Sequence, residues 1–219
     1  MRQGVIFDMD GVLVASGPAH LESWRILARK HGVQISDESF VESFGKTSRD
    51  IIRAVWGADL SAEEVRAYDN EKEAVYRELI SGLVPLTIGT REVLANLSRA
   101  GFVLAVATSA PPENLELVLR EAHLARYFAA TVDGADIQHG KPAPDCFLLA
   151  AERAALRPAD CIVVEDAPVG IQAALAAGMK VVGFVGTHSA ERLRQAGPTR
   201  ILERLADITP EFVSDLLRG

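Results

Sequence analysis

Asp8 and Asp10 stand two residues apart, directly after the apolar run Gly4-Val5-Ile6-Phe7. Thr108 and Ser109 follow Leu104-Ala105-Val106-Ala107, and Glu165 and Asp166 follow Ile162-Val163-Val164. Lys141 sits in the loop His139-Gly140-Lys141-Pro142, after a short apolar stretch at 130–132. Carboxylates gathered at one point repel each other unless a cation joins them. A hard divalent ion meets that need, and Mg²⁺ typically takes one or two carboxylates with phosphate oxygens and water. A lysine and hydroxyls supply the charge and hydrogen bonds that hold a phosphoryl group. An aspartate so placed can attack phosphorus and form an aspartyl-phosphate. Lys141 and the metal would offset the repulsion between that carboxylate and a dianionic substrate. Asp10 is spaced to protonate the leaving oxygen and then to activate water.

These residues converge only if the elements behind them bring them to one edge. The run at 4–7 reads as a fully buried strand, and similar runs lie at 103–107, 161–164 and 181–185. Shorter candidates lie at 130–132 and 200–202. Helix-period segments separate them, at 90–99, 113–121, 144–154 and 169–177, with a terminal helix at 210–217. Gly101 and Gly178 stand where a helix stop is expected. Continuous apolar strands alternating with amphipathic helices predict an α/β, doubly wound parallel sheet with helices on both faces. Ligands in such sheets sit beyond the carboxyl ends of the strands, where all four polar groups fall.

The stretch 16–82 breaks this rhythm. It carries no convincing apolar strand and reads as helices at 20–30, 37–43, 48–55 and 62–79, with Ser36 and Ser61 at N-cap positions. The expected division is a catalytic core of 1–15 and 83–219 with a helical cap subdomain of 16–82 inserted after the first strand. Glycine and proline mark both crossings, at Gly17-Pro18 and between Gly82 and Pro85.

The bulk properties exclude several classes. A chain of 219 residues, 48% apolar, can bury a substantial core. Its net charge of -7, with charges interspersed, argues against nucleic acid as a partner. No run is long enough to span a membrane, and Met1 leads straight into the first strand, leaving no room for a signal peptide. Two cysteines, Cys146 and Cys161, lack metal spacing and fit buried thiols in a reducing compartment. The expected setting is cytoplasmic.

Asp-Met-Asp-Gly-Val-Leu, Ala107-Thr108-Ser109, Gly140-Lys141-Pro142-Ala143-Pro144-Asp145 and Val164-Glu165-Asp166 through Gly170 resemble the four ordered motifs of the haloacid dehalogenase superfamily. The inserted helices resemble its helical cap, so the likeness spans nearly the whole chain. It implies Asp8 as nucleophile and metal ligand, and Asp10 as acid/base with its main-chain carbonyl on Mg²⁺. It implies Thr108, Ser109 and Lys141 around the phosphoryl group, and Asp166, with Glu165 beside it, completing the metal site. The second aspartate argues against the dehalogenase branch, which lacks it.

Within the superfamily the chain is most similar to β-phosphoglucomutases and to small sugar-phosphate phosphatases. His20 and Trp24 match positions common to both groups, with helix packing as their plain alternative. Phe44 to Arg49 resembles the cap loop that closes over substrate, so Lys46 and Arg49 are candidate substrate contacts; their plain alternative is a solvated loop. Arg49 suits a second phosphate or sugar hydroxyls. Both Lys72 and Arg77 lie near the place of the lysine that mutases use. The first motif continues as Ala15-Ser16, without the acidic residue common at the hinge.

Other motifs fall away on inspection. Gly45-Lys46-Thr47 has Phe40 where a phosphate-binding loop needs glycine, and Gly183-Phe184-Val185-Gly186 lacks dinucleotide spacing. The leading expectation is an Mg²⁺-dependent phosphatase of small phosphorylated metabolites, working as a monomer. A β-phosphoglucomutase-like isomerase is the alternative. A non-catalytic phosphoacceptor domain is opposed by the long insertion and by Asp10.

Overall fold

The structure, a computed structural model, describes residues 2–36 and 47–218. Six strands, β1 (Gly4–Phe7), β2 (Val103–Ala107), β3 (Ala130–Val132), β4 (Cys161–Glu165), β5 (Lys180–Phe184) and β6 (Arg200–Leu202), form one sheet. Their order is β3-β2-β1-β4-β5-β6 and every pairing is parallel. The doubly wound α/β expectation holds.

Alternation along each strand builds the two faces. Val5, Phe7, Leu104, Val106, Ile162 and Val164 enter one apolar cluster. Ile6, Val103, Ala105, Ala107, Cys161 and Val163 enter the other. With both faces covered, the central strands are apolar throughout and their first polar residue comes where the strand leaves the sheet. The order reverses between β1 and β4, the crevice where such sheets take ligands.

In the insertion after β1 the described helices are α1 (Gly17–Lys30), α2 (Ser48–Trp56) and α3 (Ala62–Ile80). They share a third apolar cluster, built on Trp24, Leu27, Ile51, Ile52 and Val65, apart from the two sheet faces. Ser61 caps α3 through a full capping box with Glu64. The α1 helix starts at Gly17 rather than at 20, because Pro18 is welcome in a first turn. The expected helix at 37–43 and the candidate contact Lys46 lie outside the described residues. Where the chain crosses between sheet and helices, Ala15 N–H donates to the Pro85 carbonyl at 2.7 Å and Thr87 N–H to Leu13 at 3.0 Å.

After β2 follow α5 (Pro112–Glu121), α6 (Asp145–Arg153), α7 (Pro168–Ala176), α8 (Ala190–Gln195) and α9 (Pro210–Arg218), with α4 (Thr90–Arg99) ahead of it. The six-residue α8 was not anticipated from sequence: only Leu193 of it is buried, so it carries no apolar period. Among the described residues no helix is long and apolar enough to cross a membrane.

Candidate active site

The carboxyl ends of β1, β2 and β4 deliver Asp8, Thr108 and Glu165 to one place, and the loop before α6 delivers Lys141. The Lys141 ammonium donates to Asp8 Oδ1 and to Glu165 Oε1, each at 2.6 Å. The second oxygen of Glu165 accepts the Ala167 N–H at 2.7 Å. Both Glu165 oxygens are therefore engaged by the protein, and this carboxylate holds Lys141 in place. Asp166 Oδ2 accepts the Thr187 N–H at 2.9 Å. The Asp166 carboxylate lies in a cradle that only glycine leaves open: a Cβ on Gly11 would collide with it.

Charge is crowded here. Burial pushes the Asp8 carboxyl well up; Lys141 pulls it back, and the Glu165 and Asp166 carboxylates push it further. Burial and then Glu165 lift Asp166 to about 7, against the pull of the Thr187 hydrogen bond. Burial would discharge Lys141, but Asp8 and Glu165 outweigh it and keep the ammonium well above its usual value. One lysine does not offset these carboxylates. Among the described residues no three His, Cys, Asp or Glu side chains gather as a metal site. Two carboxylates, Asp8 and Asp166, lining the same cavity, nonetheless fit magnesium, which needs few protein ligands.

Thr108 is buried and its hydroxyl accepts the Ala110 N–H at 3.1 Å. Ser109 lines the same cavity, and its buried hydroxyl has no hydrogen-bond partner among the described residues. A buried hydroxyl left unpaired is costly, which fits a ligand oxygen arriving there.

The helical insertion supplies the opposite wall. Lys72, a donor only, lies 2.8 Å from His20 Nδ1. That nitrogen must therefore accept, and Nε2–H donates to Asp10 Oδ1 at 3.1 Å. The Tyr76 hydroxyl donates to the same oxygen at 3.1 Å. Burial would raise the Asp10 carboxyl, but His20 and Lys72 prevail and bring it down to about 2. Trp24 also faces the cavity and lies under the Lys72 ammonium at 5.2 Å.

The sequence-derived candidates thus separate. Asp8, Asp10, His20, Trp24, Thr108, Ser109, Lys141, Glu165 and Asp166 line one cavity of about 70 Å³. Arg49 lies instead in an adjoining groove of about 540 Å³, 3.2 Å from Asp69. Glu73, Tyr76 and Asn114 were missed as site residues. Their signal was present: Val65, Lys72, Glu73, Tyr76 and Ile80 form the buried stripe of α3, so charges stand where a core helix would be apolar.

The family model described as haloacid dehalogenase-like hydrolase matches residues 3–178. The fructose-1-phosphate phosphatase YqaB of Escherichia coli is 34% identical, covering 82% of this chain and 94% of its own. The phosphorylated carbohydrates phosphatase of Thermotoga maritima is 30% identical, covering 99% and 98%. The β-phosphoglucomutase of Clostridium difficile superposes with a TM-score of 0.90 at 24% identity, covering 100% of this chain and 98% of that one.

Proposed function

The chain belongs to the haloacid dehalogenase-like hydrolases, and from that membership we propose that it is a Mg²⁺-dependent phosphatase of small phosphorylated carbohydrates. The observation that carries this reading is Lys141 bridging Asp8 and Glu165 beside the unpartnered Ser109 hydroxyl. Two relatives named as carbohydrate-phosphate phosphatases support the substrate class.

In this reading an Asp8 oxygen attacks phosphorus as the bond to the leaving alcohol breaks, and Asp10 gives that alcohol its proton. Water then attacks the aspartyl-phosphate, Asp10 takes the proton back, and Asp8 is regenerated with release of phosphate. Lys141 holds the phosphoryl oxygens, and Thr108 and Ser109 donate hydrogen bonds to them. Glu165 positions Lys141. The carboxylates of Asp8 and Asp166 and the Asp10 carbonyl would hold Mg²⁺, which supplies positive charge against the phosphoryl oxygens. The low pKa of Asp10 suits its base half, and the acid half calls for substrate to loosen the grip of His20 and Tyr76. Residues 16–82 act as a cap on a core of 1–15 and 83–219, opening for substrate and closing to exclude bulk water.

The test is turnover of a panel of phosphorylated sugars and polyols with Mg²⁺, following free phosphate and isomerised product, in wild type and Asp8→Asn. Phosphate release that Asp8→Asn abolishes supports the reading. Conversion of β-glucose 1-phosphate to glucose 6-phosphate with little phosphate released would replace it with a mutase.

A further inference from the structure

The cavity around Asp8 encloses about 70 Å³, far below the roughly 300 Å³ at which small-molecule sites begin. The adjoining groove, at about 540 Å³, is within that range. Ser48, Glu73 and Ser109 line both spaces. With a phosphoryl group beside Asp8, the rest of the substrate must pass this threshold, so the chemistry of Glu73 meets the leaving group first.

Glu73 is buried, and three donors hold it. Its Oε1 accepts from Ser48 Oγ at 2.6 Å and from Lys72 Nζ at 2.9 Å, while Oε2 accepts from Asn114 Nδ2 at 2.7 Å. Burial alone would raise this carboxyl, but the Lys72 charge and the hydrogen bonds from Ser48 and Lys72 outweigh it and hold it below its usual value. Glu73 is thus a permanent anion, and the cation it faces is already spent on it.

The remaining charges do not change that balance. The inner cavity presents Asp8, Asp10, Glu73, Glu165 and Asp166 against Lys72 and Lys141. Lys141 is committed to Asp8 and Glu165. In the outer groove Arg49 pairs with Asp69, and Arg77 donates to Asn114 Oδ1. Among the described residues, a second anionic group on the leaving portion would therefore meet carboxylates in both spaces without a surplus of cations. A hydroxyl would not: an ionised carboxylate offers about four acceptor sites, and the three donors leave one for an alcohol.

We propose that Glu73 selects the substrate, cancelling Lys72 and turning away phosphoesters whose alcohol carries a second anion, so that uncharged sugars and polyols are the accepted leaving groups. This rests on the phosphatase reading above.

The experiment compares kcat/KM for a hexose monophosphate and the matching hexose bisphosphate, in wild type, Glu73→Gln and Glu73→Asp, with Mg²⁺. Wild type is expected to favour the monophosphate by at least about tenfold, since like-charge contacts are strongly disfavoured. Glu73→Gln frees Lys72 and narrows the ratio by about tenfold through KM for the bisphosphate, while Glu73→Asp keeps the preference. Equal wild-type turnover of both esters overturns the proposal even if the variants fail to fold. So does an active Glu73→Gln with the wild-type ratio. Phosphate release from neither ester removes the phosphatase reading, and this one with it.

Discussion

The Tyr76 hydroxyl, on the inserted helix α3, donates to Asp10 Oδ1, on the loop after β1, at 3.1 Å. Its ring also stacks on His20 with centroids 3.9 Å apart and planes 2° from parallel. Burial and the Asp10 charge keep the phenol protonated, well above its usual pKa, so it remains a donor. Tyr76 therefore joins the inserted helices to the sheet at the residue to which the proposed mechanism gives the proton transfers. Tyr76→Phe keeps the stack and removes the donor. We expect kcat to fall roughly tenfold with little change in KM. Losing a donor to an anion raises its pKa, so the alkaline limb of kcat/KM, where Asp10 loses the proton it gives the leaving alcohol, should move to higher pH. A variant with wild-type kcat and an unmoved limb would reduce Tyr76 to packing.

Lys141 and Asp8 should respond oppositely to mutation although they form one ion pair. Lys141→Met strands the Asp8, Glu165 and Asp166 carboxylates in a buried site, and breaking a buried pair this way costs about 3–5 kcal/mol. Asp8→Asn instead removes one of three crowded carboxylates and leaves the Lys141–Glu165 bond at 2.6 Å. Both variants should lose turnover, but only Lys141→Met should show a lowered urea midpoint near neutral pH in EDTA. Equal destabilisation would mean that the site is not overcharged in carboxylate.

With Asp166 as a ligand in the proposed metal site, the metal contribution should depend on pH. Its folded value of about 7 lies well above the usual aspartate value, so the folded protein holds that proton more tightly than the unfolded chain. Without metal, stability from this group is full below the unfolded value and lost as pH rises through about 7. A shift of that size corresponds to a loss on the order of 4 kcal/mol. Mg²⁺ binding needs the ionised carboxylate and offsets the loss. The increase in Tm with Mg²⁺ should accordingly be larger at about pH 8 than at about pH 6. An increase independent of pH would separate Asp166 from the metal.

How far the sequence reveals this molecule depends on how far apart the interacting residues lie. Apolar strands ending in Asp8, Thr108 and Glu165 are local patterns, and the rule of strand carboxyl ends joins them without knowledge of packing. Helix starts at Pro112 and Pro168 were missed by one residue each, because proline reads as a breaker although a first turn accepts it. The cap wall is a different case. Lys72 meets His20 across 52 residues and Glu73 meets Asn114 across 41, and no local spacing announces either contact. Arg49 is similar: its type suited a substrate phosphate, and no local spacing announces its place in the outer groove 3.2 Å from Asp69.

Gly170 provides a test in which two effects compete. It lies inside α7, where replacing glycine by alanine ordinarily stabilises a helix by about 1 kcal/mol. Here a Cβ at position 170 would fall on the Glu165 carboxylate. That carboxylate holds Lys141 at 2.6 Å and Ala167 N–H at 2.7 Å, so it has no slack to retreat without breaking one of them. Overpacking of this kind costs about 1–3 kcal/mol, enough to cancel or reverse the helical gain. Displacing Glu165 also releases Lys141 from the position it shares with Asp8. We therefore expect Gly170→Ala to be no more stable than wild type in urea and to lose about tenfold or more in kcat, as misplaced catalytic groups do. A Gly170→Ala protein that is both more stable and fully active would show that Glu165 does not need to stand where it stands, and that Lys141 is positioned by something else.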